Sequence, residues 1–120
     1  MIGRASWALW PLVASLAGCG SASALPPARF VQPENTIAAA RAAGADRDPD
    51  ARIHLQFAER QYAKAKDLAK NGQNREADWA LMGAQADAQL AMSQARAASA
   101  RNDAQGAAEE VRTLREPTQK

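Results

Sequence analysis

The side chains in this sequence able to do chemistry are few and scattered. His54 is the only histidine. No cysteine or second histidine stands at a metal-binding spacing from it, and Glu59 is off the i+3 and i+4 positions, so His54 reads as a surface or seam-edge residue. Asp46, Asp48 and Asp50 alternate in the manner of a calcium loop. Such a loop needs glycine at its sixth position and a bidentate glutamate at its twelfth, where this chain has Ala51 and Phe57. Asp48 is better read as the N-cap of a helix, with Pro49 its first residue and Asp50 a first-turn acid. Ser93 and Ser99 have no histidine within a turn to activate them, and no glycine-rich phosphate loop occurs. Tyr62 and Trp79 read as packing residues. The expectation is therefore a protein that is not an enzyme, with no cofactor and no metal site.

Cys19, the only cysteine, stands in a more informative setting. Arg4 is followed by an uncharged, mostly apolar run from Ala5 to Leu16, then by the small residues Ala17 and Gly18. That run is shorter than the ~20 apolar residues needed to span a bilayer. Its basic, apolar and small-residue zones are those of a cleaved secretory signal. The stretch Leu16-Ala17-Gly18-Cys19 resembles the lipid-attachment box of bacterial lipoproteins. The resemblance implies a diacylglycerol thioether on Cys19, cleavage after Gly18 and acylation of the new amino group. The alternative is an ordinary signal cut near Ala22 or Ala24, with Cys19 discarded or left as a free thiol. Gly20, rather than aspartate, follows the cysteine; by resemblance to enterobacterial lipoproteins this implies the outer membrane, with the domain facing the periplasm.

Arg4 is the only charged residue before Cys19, so the net charge of +2 for the whole chain falls to +1 without residues 1–18. Acidic and basic residues alternate thereafter, with no basic stripe carrying interleaved aromatics, which argues against nucleic acid despite a pI near 9.0. From Cys19 onward there are 27 alanines and 16 larger apolar residues. Such a composition suits closely packed helices and offers little with which to wall a substrate cleft. With Cys19 acylated no disulfide can form, so stability must come from packing.

These residues fix the expected elements. Residues 19–32 are rich in Ser, Ala, Gly and Pro and read as a flexible tether, able to reach up to ~40 Å when extended. The helical domain is expected over residues 33–116, followed by a tail at 117–120. Pro33, Glu34 and Gly44 bound a short first helix over residues 33–43. Pro49 and Asn71-Gly72 bound a second, in which Ala51, Leu55, Ala58, Tyr62, Ala65 and Ala69 make an apolar seam, widened by Phe57 and Leu68. Asn74 is expected to cap a third helix running to about Glu116, antiparallel to the second across a short connection. Its seam is Ala77, Leu81, Ala84, Ala88, Ala91, Ala95 and Ala98. Trp79, Met82, Ala86 and Leu90 form a second stripe on which the first helix is expected to lie. Beyond Asn102-Asp103 and Gly106 the pattern resumes as Ala104, Ala107, Val111 and Leu114, a stripe the second helix is too short to cover. The fold expected is all-α: an antiparallel helical hairpin, coiled-coil-like, with a short N-terminal helix packed on it and a long C-terminal helix.

The lipid-attachment box, the stretch Ile37 to Ala45 followed by Asp48-Pro49, and the alanine-rich helical pair parted by Asn71-Gly72 together resemble the family called domain of unknown function 4398. The likeness covers residues 33–98. It implies a small helical protein of the bacterial envelope, sometimes joined to a C-terminal peptidoglycan-binding domain of the outer-membrane-protein-A type, and it offers no catalytic residues to carry over. The resulting expectation is a non-enzymatic outer-membrane lipoprotein whose periplasmic hairpin is a scaffold or docking element. Its expected partner at Ala104, Ala107, Val111 and Leu114 is a helical envelope protein or a second copy. The alternative is a structural lipoprotein associated with peptidoglycan, for which Lys120 is a candidate point of attachment.

Overall fold

The computed structural model of the chain describes residues 23–116, in which three helices follow one another: α1 (Ala28–Ala42), α2 (Pro49–Lys70) and α3 (Asn74–Arg115). No strand occurs among the described residues. Asp48 caps α2: its backbone is extended and its Oδ1 accepts the N–H of Ala51 at 2.9 Å, with Pro49 as the first helical residue. Both α1 and α2 end in the same closure. Ala45 N–H bonds the Ala40 carbonyl at 3.0 Å and Gly44 N–H that of Arg41 at 2.9 Å, around a left-handed Gly44 (φ +90°). Gln73 and Gly72 repeat those bonds to Leu68 and Ala69, around Gly72 at φ +74°. A glycine just past the helix end satisfies the last carbonyls without a Cβ penalty. In the first closure Ala45 turns back into the core beside Ala40, both fully buried.

The second connection forces α2 and α3 antiparallel, and the expected seams meet. Ala51, Leu55, Ala58 and Ala65 are buried against Ala77, Leu81, Ala84, Ala88, Ala91 and Ala95. Tyr62, Ala69 and Ala98 are half-buried at the edges of the same seam. Side chains this small allow the two backbones to approach closely, leaving a shallow crease. Into it α1 settles, parallel to α3 and antiparallel to α2, so that Ile37, Ala40 and Ala45 share one core with Leu55, Ala58, Ala88 and Ala91. Three polar clasps hold α1 in place. Arg29 donates to Asp78, its Nε at 2.8 Å; Arg41 donates to Glu59 at 2.7 and 3.1 Å; and the Tyr62 hydroxyl donates to Glu34 at 3.0 Å.

Three expectations are corrected. First, α1 starts at Ala28 and carries Pro33 inside it, so the stretch expected as tether ends five residues early. Pro26-Pro27 does bar a helix from passing through, but a proline just ahead of a helix has φ already set for it. The clasp from Arg29 and an edge-to-face contact between Phe30 and Tyr62, ring centres 6.2 Å apart, then hold the first turn. Pro33 forfeits its N–H bond to the Arg29 carbonyl, and its ring is buried. Second, the helix cap expected of Asn74 is absent. Gln73 occupies that position without a side-chain bond, and Asn74 is the first helical residue, buried. The closure around Gly72 brings the chain directly into α3, with the Gln73 carbonyl already accepting from Ala77. Third, α1 leaves the stripe of Trp79, Met82, Ala86 and Leu90 uncovered: Trp79 is 64% exposed, Met82 60% and Leu90 41%. α1 instead sinks Ile37 and Ala40 among residues of both α2 and α3, and only Arg29, Gln32 and Pro33 border the stripe, beside Met82 and Ala86.

Candidate functional site

Of the residues singled out by sequence, Cys19 lies outside the described residues, as do residues 1–18, expected as a signal, and residues 117–120, expected as a tail. The four stripe residues Ala104, Ala107, Val111 and Leu114 are all on α3 and all exposed, Val111 at 45% and Leu114 at 78%. Gly106, Asn102 and Asp103 lower helix propensity there, yet α3 continues unbroken to Arg115. The last buried residue of the bundle is Ala95, and from Ser99 to Glu116 every residue is exposed. Beyond the first turn of that stretch, which borders the α1–α2 turn, the final ~18 Å of α3 from Ala104, at 1.5 Å per residue, stands clear of the other two helices.

That overhang does not stand alone. Trp79, Met82 and Leu90, exposed on the same helix, extend the uncovered apolar face back along the bundle. Sequence periodicity placed these residues on one stripe but could not say which of two apolar faces of α3 would receive α1. Trp79 was expected as a packing residue; it is instead open to solvent at the rim of a groove with Lys64 and Leu68 of α2. Tyr62 does pack, against Phe30 and under Lys66. Partial burial, then the hydrogen bond to Glu34 and its negative charge, hold its phenol above the ordinary value.

One polar cluster crosses the hairpin that sequence did not foresee. His54 Nδ1 lies 3.2 Å from Asp87 Oδ1, and Gln61 Nε2 donates to Asp87 Oδ2 at 2.5 Å. His54 sits at the seam edge, half-buried, as its isolation in the sequence suggested. A histidine held by a carboxylate could serve as a base, but no serine or cysteine stands with it, and no group of three metal-ligating side chains occurs among the described residues. The cluster is a polar clasp between α2 and α3. Toward the N-terminus of α2, a surface notch under the turn from α1 to α2 is lined by Gly44, Arg47, Asp48, Ser99, Asn102 and Asp103. Asp48 is engaged in capping α2.

Fold and site together define a class: a small alanine-rich three-helix protein whose longest helix outruns its partners and keeps an apolar face in water. The sequence model of a family described as a domain of unknown function, DUF4398, matches residues 23–107, and the chain belongs to that family. The match takes in all three helices and the first half of the overhang. Nothing among curated proteins or solved structures matches the chain.

Proposed function

We propose that this protein is a non-enzymatic lipoprotein, anchored to the outer membrane through Cys19, whose helical bundle is a periplasmic scaffold or docking element. One observation carries the reading: Arg4, the uncharged run Ala5 to Leu16, and then Ala17-Gly18-Cys19, the only cysteine. No helix among the described residues is long and apolar enough to cross a membrane, so an anchor, where there is one, must come from elsewhere. Two or more acyl chains on one terminus bind a bilayer stably where a single chain binds marginally. The uncovered face of α3 supports docking over catalysis, because it offers a partner apolar surface flanked by charge and brings no reactive groups together.

Labelling with a radioactive or alkyne-tagged fatty acid tests the anchor. Wild type is expected to carry label and to fractionate with outer membranes. Cys19→Ser is expected to carry none and to appear in the soluble periplasm or remain unprocessed. Equal labelling of the two would end this reading. Recovery of the chain covalently bound to detergent-washed peptidoglycan would replace the docking role with a wall-associated structural one.

A further inference from the structure

α3 has two apolar faces, and the bundle covers one of them. On the uncovered side Ala97, Ala100, Ala104, Ala107, Val111 and Leu114, all exposed, follow one another at alternating steps of three and four. The same spacing continues back through Ser93, Leu90 and Ala86, also exposed. A helix that merely lies on a surface shows a stripe of period 3.6, whereas a strict 3.5 repeat held over this length is the pattern of a coiled-coil seam.

We propose that this face pairs with the same face of a second copy of the chain as a parallel, two-stranded coiled coil. The inference deepens the docking reading by naming the partner, and rests on it. In heptad terms Val111 is an a residue and Leu114 a d residue, a combination that favours two parallel strands. Charge then selects the direction. The e positions flanking the overhang are Arg101, Ala108 and Arg115; the g positions are Asp103 and Glu110. In a parallel pair a g residue faces the e residue five positions on in the other strand, which sets Glu110 against Arg115 of the partner subunit, twice by symmetry. An antiparallel pair brings e to e and g to g: the register centred on the overhang sets Asp103 against the partner's Glu110, and a shift of one heptad sets Arg101 against the partner's Arg115, so that like charges meet in either.

The intrachain pairing is consistent with this use. Arg112 takes up Glu109 and Glu116 on the far side of the helix. Glu110 and Arg115 enter no ion pair among the described residues. Higher up, the rule places Arg96 against the partner subunit's Arg101, a like pair that loosens the seam at the mouth of the bundle. A lone helix of the overhang's length is marginal in water, and pairing supplies the cover that α1 and α2 cannot reach to give.

The test uses the full chain in detergent with Cys19→Ser, so that no lipid anchor contributes and each added cysteine is the only thiol. A dimer that fails here speaks against the seam and leaves the anchor untouched. Leu114→Cys is expected to oxidise rapidly to a covalent dimer, and Glu109→Cys, on the outward face, is not. Mixing Leu114→Cys with Ala97→Cys is expected to give no mixed product, since those positions meet only in an antiparallel pair, where d packs on a. Glu110→Arg or Arg115→Glu alone is expected to weaken the dimer about tenfold by light scattering, and the two together to restore it to within about threefold. A parent chain that remains monomeric up to about 100 µM overturns the proposal. So does crosslinking at Glu109→Cys as fast as at Leu114→Cys, a mixed product with Ala97→Cys, or a double charge reversal that restores nothing.

Discussion

The side chain of Gln61 on α2 lies across Gly83 on α3, in the space where a Cβ at position 83 would stand. From there Gln61 donates to Asp87 one turn further along α3, at 2.5 Å. The glycine therefore serves the clasp rather than the helix, since in a helix interior it is about 1 kcal/mol worse than alanine. Gly83→Ala is expected to gain that propensity and to lose a charged hydrogen bond of comparable worth, leaving the thermal midpoint nearly unchanged. In a Gln61→Ala background the same change should stabilise by about 1 kcal/mol. Thermal melts of the four proteins check this, and additivity between the two sites would remove the argument.

The alanine seam should reject bulk. Ala84 and Ala88 are fully buried between α2 and α3, so leucine at either is expected to cost about 1 to 3 kcal/mol by forcing the backbones apart. Leucine at Ala100, which is exposed, is expected to leave the bundle's stability within about 0.5 kcal/mol. Chemical denaturation of the three variants separates seam from overhang.

How far the sequence could be read depends on where each signal is written. The bounds of α2 were legible to the residue because Asp48-Pro49 and Asn71-Gly72 are local chemistry, settled within one turn. The seam was legible because every member of it repeats at a fixed helical step. The start of α1 was not, since Pro26, Pro27 and Pro33 each suit a first turn and only contacts with Asp78 and Tyr62, far along the chain, choose between them. Nor was the docking side of α1. α3 carries apolar residues on two faces, and the choice turns on how deep a crease alanine leaves between α2 and α3, a property of the packed pair. The His54, Gln61 and Asp87 cluster was hidden for the same reason: its members lie on two helices, and their meeting follows from the register.

The two glycine closures should differ in what they tolerate. Gly72→Ala meets nothing within 4 Å and faces only the strain of a left-handed backbone at φ +74°, about 1 kcal/mol. At Gly44, φ +90°, an added Cβ would also come within 2.6 Å of the Arg47 guanidinium. Gly44→Ala is therefore expected to destabilise more than Gly72→Ala. Arg47→Ala should bring the two to parity. Equal losses in the Arg47 background and in wild type would show that the guanidinium yields freely.

The Tyr62 hydroxyl reaches Glu34 at 3.0 Å across the α1–α2 contact. Tyr62→Phe keeps the ring against Phe30 and removes only that bond, so a loss of about 0.5 to 1 kcal/mol is expected, at the low end for a hydrogen bond because the pair is exposed. The pH dependence has a definite sign. The folded phenol titrates above its ordinary value, so its contribution is whole below the unfolded value near 10 and is lost as pH rises through the folded one. Wild type and Tyr62→Phe should therefore converge in stability in alkali. A constant gap between their midpoints across that range would mean that the bond to Glu34 contributes nothing.

Truncation after Ala98 isolates the overhang from the bundle. Ala95 is the last buried residue, and every residue from Ser99 to Glu116 is exposed. Removing them takes no buried side chain from the core, so the midpoint of the remaining bundle is expected to shift by no more than about 0.5 kcal/mol. Circular dichroism should meanwhile fall in proportion to the residues removed. Two departures carry meaning. A larger loss of bundle stability would show that the core leans on the notch residues Ser99, Asn102 and Asp103, which line the turn between α1 and α2. An unchanged ellipticity per chain would show that the overhang is not helical in the unpaired chain and that its order arises on pairing. Repeating the spectrum of the full chain across a wide range of concentration separates these cases, because helix formed by association grows with concentration and helix intrinsic to the chain does not.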